Sequence, residues 1–298
     1  MARTWFITGS SRGFGRALTE AALAAGDNVV ATARNPRHDL DGDNTPARDG
    51  DGVTARDGDG VTARDSWHDR VLELPLDVTD PAAAEAAVAR AVERFGRIDV
   101  VANNAGYGNP GAIEDIGMDD FRAQVEANFY GVVNVTRAAL PVLRAQGAGH
   151  FLQFSSIGGR VGGSPGMAAY QAAKFAVEGF SEVLNAEVEP LGLKVTIIEP
   201  GPFRTDWGGS SMSFHPVSAP YEPTVGKMNA FRRETDGTWP GDPVRAAHIL
   251  LDVVNSPNPP LRLLLGAAAV DAARKSSAER AAEAEEWAEV SRSADFPA

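Results

Sequence analysis

The sequence predicts an α/β fold built on a doubly wound, parallel sheet of seven strands with helices on both faces. Three observations carry that prediction. Short apolar runs recur along the 298 residues, stretches with helical periodicity separate most of them, and glycine, proline and capping residues stand at the junctions. Strands buried on both faces of a parallel sheet read as continuous apolar runs, as these do.

The first run, Trp5-Phe6-Ile7, leads through a glycine-rich turn into a helix over Arg16 to Ala25, with Gly26 in the C′ position. Asn28 to Ala33 follows as the second strand and completes one βαβ unit. Val71 to Leu74 reads as the third strand, and Pro81 to Phe95 as a helix with proline in its first turn and Thr79 or Asp80 as cap. Val100 to Asn103 is the fourth strand, and a long helix from about Met118 to Ala145 leads to the fifth, His150 to Phe154. A helix over Tyr170 to Leu191 and a strand over Lys194 to Glu199 follow, then a helix over Val244 to Val254 and a strand over Leu261 to Leu265.

One domain over 1–298 is expected, with three additions to the alternating pattern. Where a crossover helix is due after the second strand, an insertion over about 36–69 is rich in Asp, Gly and Arg. Its octet ARDGDGVT at Ala47 to Thr54 is repeated at Ala55 to Thr62, and Ala63-Arg64-Asp65 begins a third copy. Units this short do not build a solenoid, so a solvated loop is the expectation; calcium binding by its Asp-x-Asp-Gly pieces lacks the bidentate Glu at loop spacing. A variable lid is expected over about 203–240 and a helical extension over about 267–298, with Trp287 docking its acidic run.

Composition narrows the function classes. A formal charge of −12 repels phosphate backbones and anionic lipid, so neither nucleic acid nor membrane is an expected partner. The chain contains no cysteine, which excludes disulfides and thiolate metal sites. Its five histidines show neither metal-ligand spacing nor an HExxH pattern, so no metal site is predicted. The N-terminus enters the first strand directly and no apolar stretch reaches membrane-spanning length, which points to a cytoplasmic protein.

Several groups carry chemistry. Thr8-Gly9-Ser10-Ser11-Arg12-Gly13-Phe14-Gly15 lies between strand and helix, where glycines let the backbone turn and approach a pyrophosphate while helix N–H groups bind its oxygens. After the second strand stands Arg34 rather than the carboxylate that would hold a ribose 2′-hydroxyl. Arg34 and Arg12 suit a 2′-phosphate instead, favouring NADP(H) over NAD(H); two solvated arginines are the plain alternative. Tyr170 and Lys174 stand at i and i+4 on one helix face, where an ammonium near a phenol favours the phenolate. Ser155 and Ser156 follow the fifth strand at the end where open parallel sheets bind ligands.

Taken together, the turn glycines, Asn103-Asn104-Ala105-Gly106, Ser155-Ser156-Ile157-Gly158-Gly159, Tyr170-Gln171-Ala172-Ala173-Lys174 and Pro200-Gly201 resemble the short-chain dehydrogenase/reductase family, in family order across about 4–205. That resemblance implies a Rossmann-type sheet and a homodimer or homotetramer. It also implies that Ser156 binds the substrate oxygen, Tyr170 is the acid or base, and Lys174 holds the nicotinamide ribose while lowering the tyrosine pKa. Asn128 would support a water-linked proton relay through the lysine. Gly9, Ser11, Arg12, Gly13, Phe14, Gly15, Arg34, Asp77, Val78, Asn104, Ala105, Gly106, Tyr170, Lys174, Pro200, Gly201, Phe203 and Thr205 would contact the cofactor, Asp77 through the adenine amino group.

Three departures from the family pattern stand out: Ser156 precedes Tyr170 by one residue more than usual, the repeat segment follows the 2′-phosphate position, and Phe203 replaces a smaller aliphatic residue. The expected reaction interconverts a carbonyl and an alcohol by hydride transfer, with a small apolar ketone, aldehyde or alcohol as substrate beneath a lid carrying Met212, Phe214, Tyr221, Met228 and Phe231. Two other readings are an NADP-sensing regulator without turnover and an NAD-retaining epimerase or dehydratase. The regulator needs none of Asn128, Ser156, Tyr170 or Lys174, and the glycine spacing and arginines disfavour the epimerase.

Overall fold

The computed structural model describes residues 2–36, 40, 67–207 and 212–296; most of the repeat-bearing insertion, with both complete octets, lies outside the described residues. Seven parallel strands form one sheet in the order β3-β2-β1-β4-β5-β6-β7. They are β1 (Thr4–Thr8), β2 (Asn28–Ala33), β3 (Val71–Pro75), β4 (Val100–Asn103), β5 (Gly149–Phe154), β6 (Leu193–Pro200) and β7 (Arg262–Leu265). The winding reverses between β1 and β4, and it is at such a switch point, outside the carboxyl ends of the strands, that an open α/β sheet leaves a crevice.

Alternation within β1 divides the core between the two faces. Trp5 and Ile7 pack with α1 (Gly13–Ala24) and α8 (Pro243–Asn255), through Leu18, Leu23 and Leu250. Phe6 points the other way, into the layer formed by α2 (Pro81–Phe95), α4 (Gly131–Gln146) and α6 (Ala168–Val188), where Val88, Leu143 and Leu184 are buried. Because both faces are covered, β1 is buried along its whole length.

Local chemistry sets the helix ends. Asp80 rather than Thr79 caps α2, accepting hydrogen bonds from the Ala82 and Ala83 amides at 2.9 and 3.1 Å. Helix α1 starts three residues earlier than the sequence suggests, at Gly13, so the glycine turn flows straight into it. The helix expected over Met118 to Ala145 is interrupted: α3 (Met118–Val125) passes through a π turn at Glu126–Tyr130 into α4. Helix α6 begins at Ala168, ahead of Tyr170.

Beyond β6, α7 (Lys227–Thr235) belongs to the lid segment. The C-terminal α9 (Ala267–Glu286) and α10 (Ala288–Arg292) bury little beyond Ala269 and Ala273. Trp287 does not dock: it is 56% exposed. Among the described residues no helix is long and apolar enough to cross a membrane.

Candidate active site

Two adjoining cavities open at the carboxyl end of the sheet. The first, about 820 Å³, lies over the switch point between β1 and β4. Its floor is backbone. Gly9 and Gly13 have φ of +68° and +54°, which side chains rarely adopt. A Cβ on Gly15 would strike the Gly9 carbonyl, so the third glycine answers to close packing rather than to φ. The Asn104 Nδ2 donates to the Thr8 carbonyl at 2.9 Å, and the Asn104 and Ala105 amides donate to Thr8 Oγ1 at 3.0 Å, stitching the turn to the end of β4.

The extended Arg12 precedes α1 without capping it through its side chain, and no acidic residue occupies the first turn. The positive end of α1 therefore faces the cavity with no side-chain cap and no acidic residue in its own first turn. Arg12 and Arg34 line the same cavity, are exposed, and form no ion pair among the described residues. Asp77, also lining it, uses Oδ1 to accept hydrogen bonds from the amide and hydroxyl of Thr79 at 3.0 and 2.8 Å.

The second cavity, about 450 Å³, shares Phe14, Asn104, Gly106, Thr205 and Trp207 with the first. Ser156 N-caps the short α5 (Ile157–Arg160), its Oγ accepting from the Gly158 amide at 3.0 Å, and it lines the cavity with Tyr170. Ser155 turns away, its Oγ directed at the Lys174 carbonyl at 3.4 Å. The extra residue between Ser156 and Tyr170 is absorbed in a loop where Gly162, Gly163 and Gly166 all take positive φ. Phe203 packs at a tilt against Phe14 with ring centroids 4.8 Å apart, and fits because Gly241 opposite it has no side chain.

Lys174 is buried, and its Nζ donates to the Phe154 carbonyl at 2.7 Å while standing 5.7 Å from the centre of the Tyr170 ring. Here the structure corrects the expected lowering of the tyrosine pKa. Burial pushes the Tyr170 phenol up to about 12, against the opposing pull of the Ser156 hydroxyl. Burial also draws Lys174 down to about 8, opposed by the Glu178 carboxylate. Low dielectric disfavours both charged forms, and the ammonium is directed at a carbonyl rather than at the phenol.

Asn128 sits in the π turn and is fully buried. Its Nδ2 donates to the carbonyls of Tyr107 and Gln124 at 2.8 Å, and its Oδ1 accepts from the Tyr107 amide at 3.2 Å. A Cβ on Gly106 would meet both Asn128 Oδ1 and Lys174 Nζ, so these two side chains converge on one glycine.

Most of the expected positions come together at the two cavities. Gly9, Ser11, Arg12, Gly13, Phe14, Arg34, Asp77, Val78, Asn104, Ala105, Gly106 and Thr205 line the first; Asn128, Ser156, Tyr170, Lys174, Pro200, Gly201 and Phe203 line the second. Gly15 lines neither and acts through packing. Of the lid residues, Met212, Met228 and Phe231 face the second cavity. Phe214 instead lies under the Arg233 guanidinium at 4.2 Å, and the Tyr221 hydroxyl donates to Glu114 at 2.6 Å. Residues not singled out in the sequence include Trp207, whose ring lies 5.2 Å from that of Tyr170, and Arg232, which lines the second cavity. Among the described residues no cluster of three or more His, Cys, Asp or Glu could hold a metal ion.

The sequence pattern of the short chain dehydrogenase family matches residues 52–214. Oxidoreductase BOA17 of Botryotinia fuckeliana is 48% identical over 291 residues, covering 98% of each chain. An uncharacterized oxidoreductase of Schizosaccharomyces pombe is 35% identical over 274 residues, 91% of this chain and 85% of the relative. The crystal structure of a short-chain dehydrogenase from Streptomyces avermitilis superposes with a TM-score of 0.83 at 37% identity, covering 99% of this chain and all of that one. The seven-stranded sheet, the pair of cavities at its carboxyl end and these likenesses lead to one conclusion: the chain belongs to the short-chain dehydrogenase family, and it is an oxidoreductase.

Proposed function

We propose that this oxidoreductase interconverts a carbonyl and an alcohol with NADP(H), and that Tyr170 is its general acid and base. Members of the family use NAD or NADP, and the first cavity fits such a dinucleotide: its floor is backbone whose close packing a Cβ on Gly9 or Gly15 would disrupt, and α1 presents an uncapped N-terminus. The choice of NADP rests on Arg34 and Arg12, two exposed guanidiniums that form no ion pair among the described residues, and on the lack of the carboxylate an NAD site would carry after β2. When bound, the nicotinamide accepts or delivers a hydride.

The observation that carries the reading is the pairing of Tyr170 with Ser156, both facing the second cavity where it adjoins the first. With its pKa pushed up to about 12, Tyr170 is a protonated phenol at neutral pH. It therefore holds the proton that a reduced carbonyl oxygen needs. Ser156 orients that oxygen by a second hydrogen bond. Lys174 and Asn128, converging on Gly106, form the inner end of a polar path by which the tyrosine is reprotonated. Phe14, Phe203, Trp207 and the lid methionines exclude water.

Purified protein should consume NADPH when offered a panel of ketones and aldehydes. Arg34→Ala should weaken NADPH binding about tenfold, roughly 1.4 kcal/mol, and leave NADH binding nearly unchanged. Equal losses for the two dinucleotides would remove the NADP assignment, and no cofactor consumption across the panel would contradict the reaction class.

A further inference from the structure

We propose that the substrate joins a carboxylate to an apolar body, and that Arg232 on α7 binds the carboxylate inside the second cavity. This deepens the reading of that cavity as the substrate site and rests on it.

Arg232 is only 9% exposed, yet it lines the same cavity as Tyr170 and Ser156. All of its partners are neutral: Nη1 donates to Asn229 Oδ1 at 2.9 Å, and Nη2 donates to Ser164 Oγ at 2.8 Å and to the Pro165 carbonyl at 2.9 Å. Two partly covered arginines elsewhere in the fold are treated differently. Arg160 pairs with Glu199, and Arg262 pairs with Glu178, Glu182 and Glu199. Among the described residues, Arg232 has no carboxylate within ion-pairing distance.

A buried guanidinium without a counter-ion is unfavourable, and a ligand carboxylate would supply the missing charge. Donors are also in surplus at this point. The Arg232 Nε makes no hydrogen bond among the described residues, and the buried Asn229 Nδ2 has no acceptor. Burial draws the Arg232 pKa down to about 10, which leaves it cationic at neutral pH. The remaining lid surface, Met212, Met228, Phe231 and Trp239, has no charge to offer and suits the rest of the molecule. An arginine that served only to tie α7 to the turn at Ser164 and Pro165 would need hydrogen-bond donors but no positive charge.

Trp207 and Trp239 line the cavity and report on its occupancy. The full-length protein is titrated by tryptophan fluorescence at neutral pH with 4-phenylbutyrate and with its uncharged amide. The proposal expects the acid to bind at least about tenfold tighter than the amide. Arg232→Gln should abolish that preference while leaving amide binding within about twofold, and Arg232→Lys should retain part of it. A wild-type protein that binds the amide as tightly as the acid, or does not bind the acid at millimolar concentration, overturns the proposal. So does an acid preference that survives Arg232→Gln. If Arg232→Gln does not fold, the wild-type pair of ligands decides. A clear acid preference in a protein that reduces no carbonyl would remove the proposed reaction while leaving this binding site standing.

Discussion

The two cavities at the carboxyl end of the sheet share five residues but are built from different material. The crevice over β1 and β4 has a floor of backbone, where two left-handed glycines and one closely packed glycine bring main chain against the space. The cavity beside Tyr170 is walled by side chains drawn from distant parts of the chain, including β5, α6 and the lid. A backbone site can be altered at very few positions without losing its shape, whereas a side-chain cavity can change its walls one residue at a time. On the proposed reading, the first fixes which class of cofactor enters and the second is free to select the substrate.

Substitutions can break or sharpen that contrast. The largest effect is expected at Gly15, where any Cβ meets the Gly9 carbonyl. Gly15→Ala should weaken dinucleotide binding about 100-fold and destabilise the protein by about 1–3 kcal/mol, the range for forced overpacking. Calorimetric titration and thermal unfolding measure both. Near-normal dinucleotide affinity in that variant would mean the crevice is not the rigid backbone form described here.

A smaller effect distinguishes the side-chain cavity. Lys174 is drawn down from 10.5 to about 8 by burial, so the dinucleotide-free fold bears the cost of a buried cation at neutral pH. Between those two pH values the unfolded chain still holds the proton that the folded protein has released, so this lysine's contribution to stability rises with pH. Lys174→Met lacks the rise. The unfolding free energy of the wild type relative to Lys174→Met should increase by about 1 kcal/mol per pH unit across that window. Denaturant titrations at pH 8, 9 and 10 follow it; a constant difference would show that the lysine is not desolvated.

The sequence made the backbone-built region easier to read than the side-chain cavity, for a physical reason. Glycines required by φ or by contact must stand at fixed spacings, so Gly9, Gly13 and Gly15 are visible in one short string. The seven strands were readable because burial on both faces forces continuous apolar runs. The π turn around Asn128 was not, since it inserts within a periodic stretch whose polar and apolar residues fit an uninterrupted helix equally well. Spacing placed Tyr170 and Lys174 on one face but could not show that the ammonium donates to the Phe154 carbonyl. Arg232 was missed because an arginine followed by Arg233, Glu234 and Asp236 reads as solvated surface; only burial beside neutral partners marks it out.

The account stands on proton transfer by Tyr170, and Tyr170→Phe tests it with the smallest change, one oxygen atom. Its turnover of a carbonyl substrate that the wild type reduces should fall at least about 100-fold, the lower range for losing a positioned acid, while dinucleotide affinity stays within about twofold. Normal turnover in that variant, or a loss explained entirely by failure to bind the dinucleotide, would contradict it.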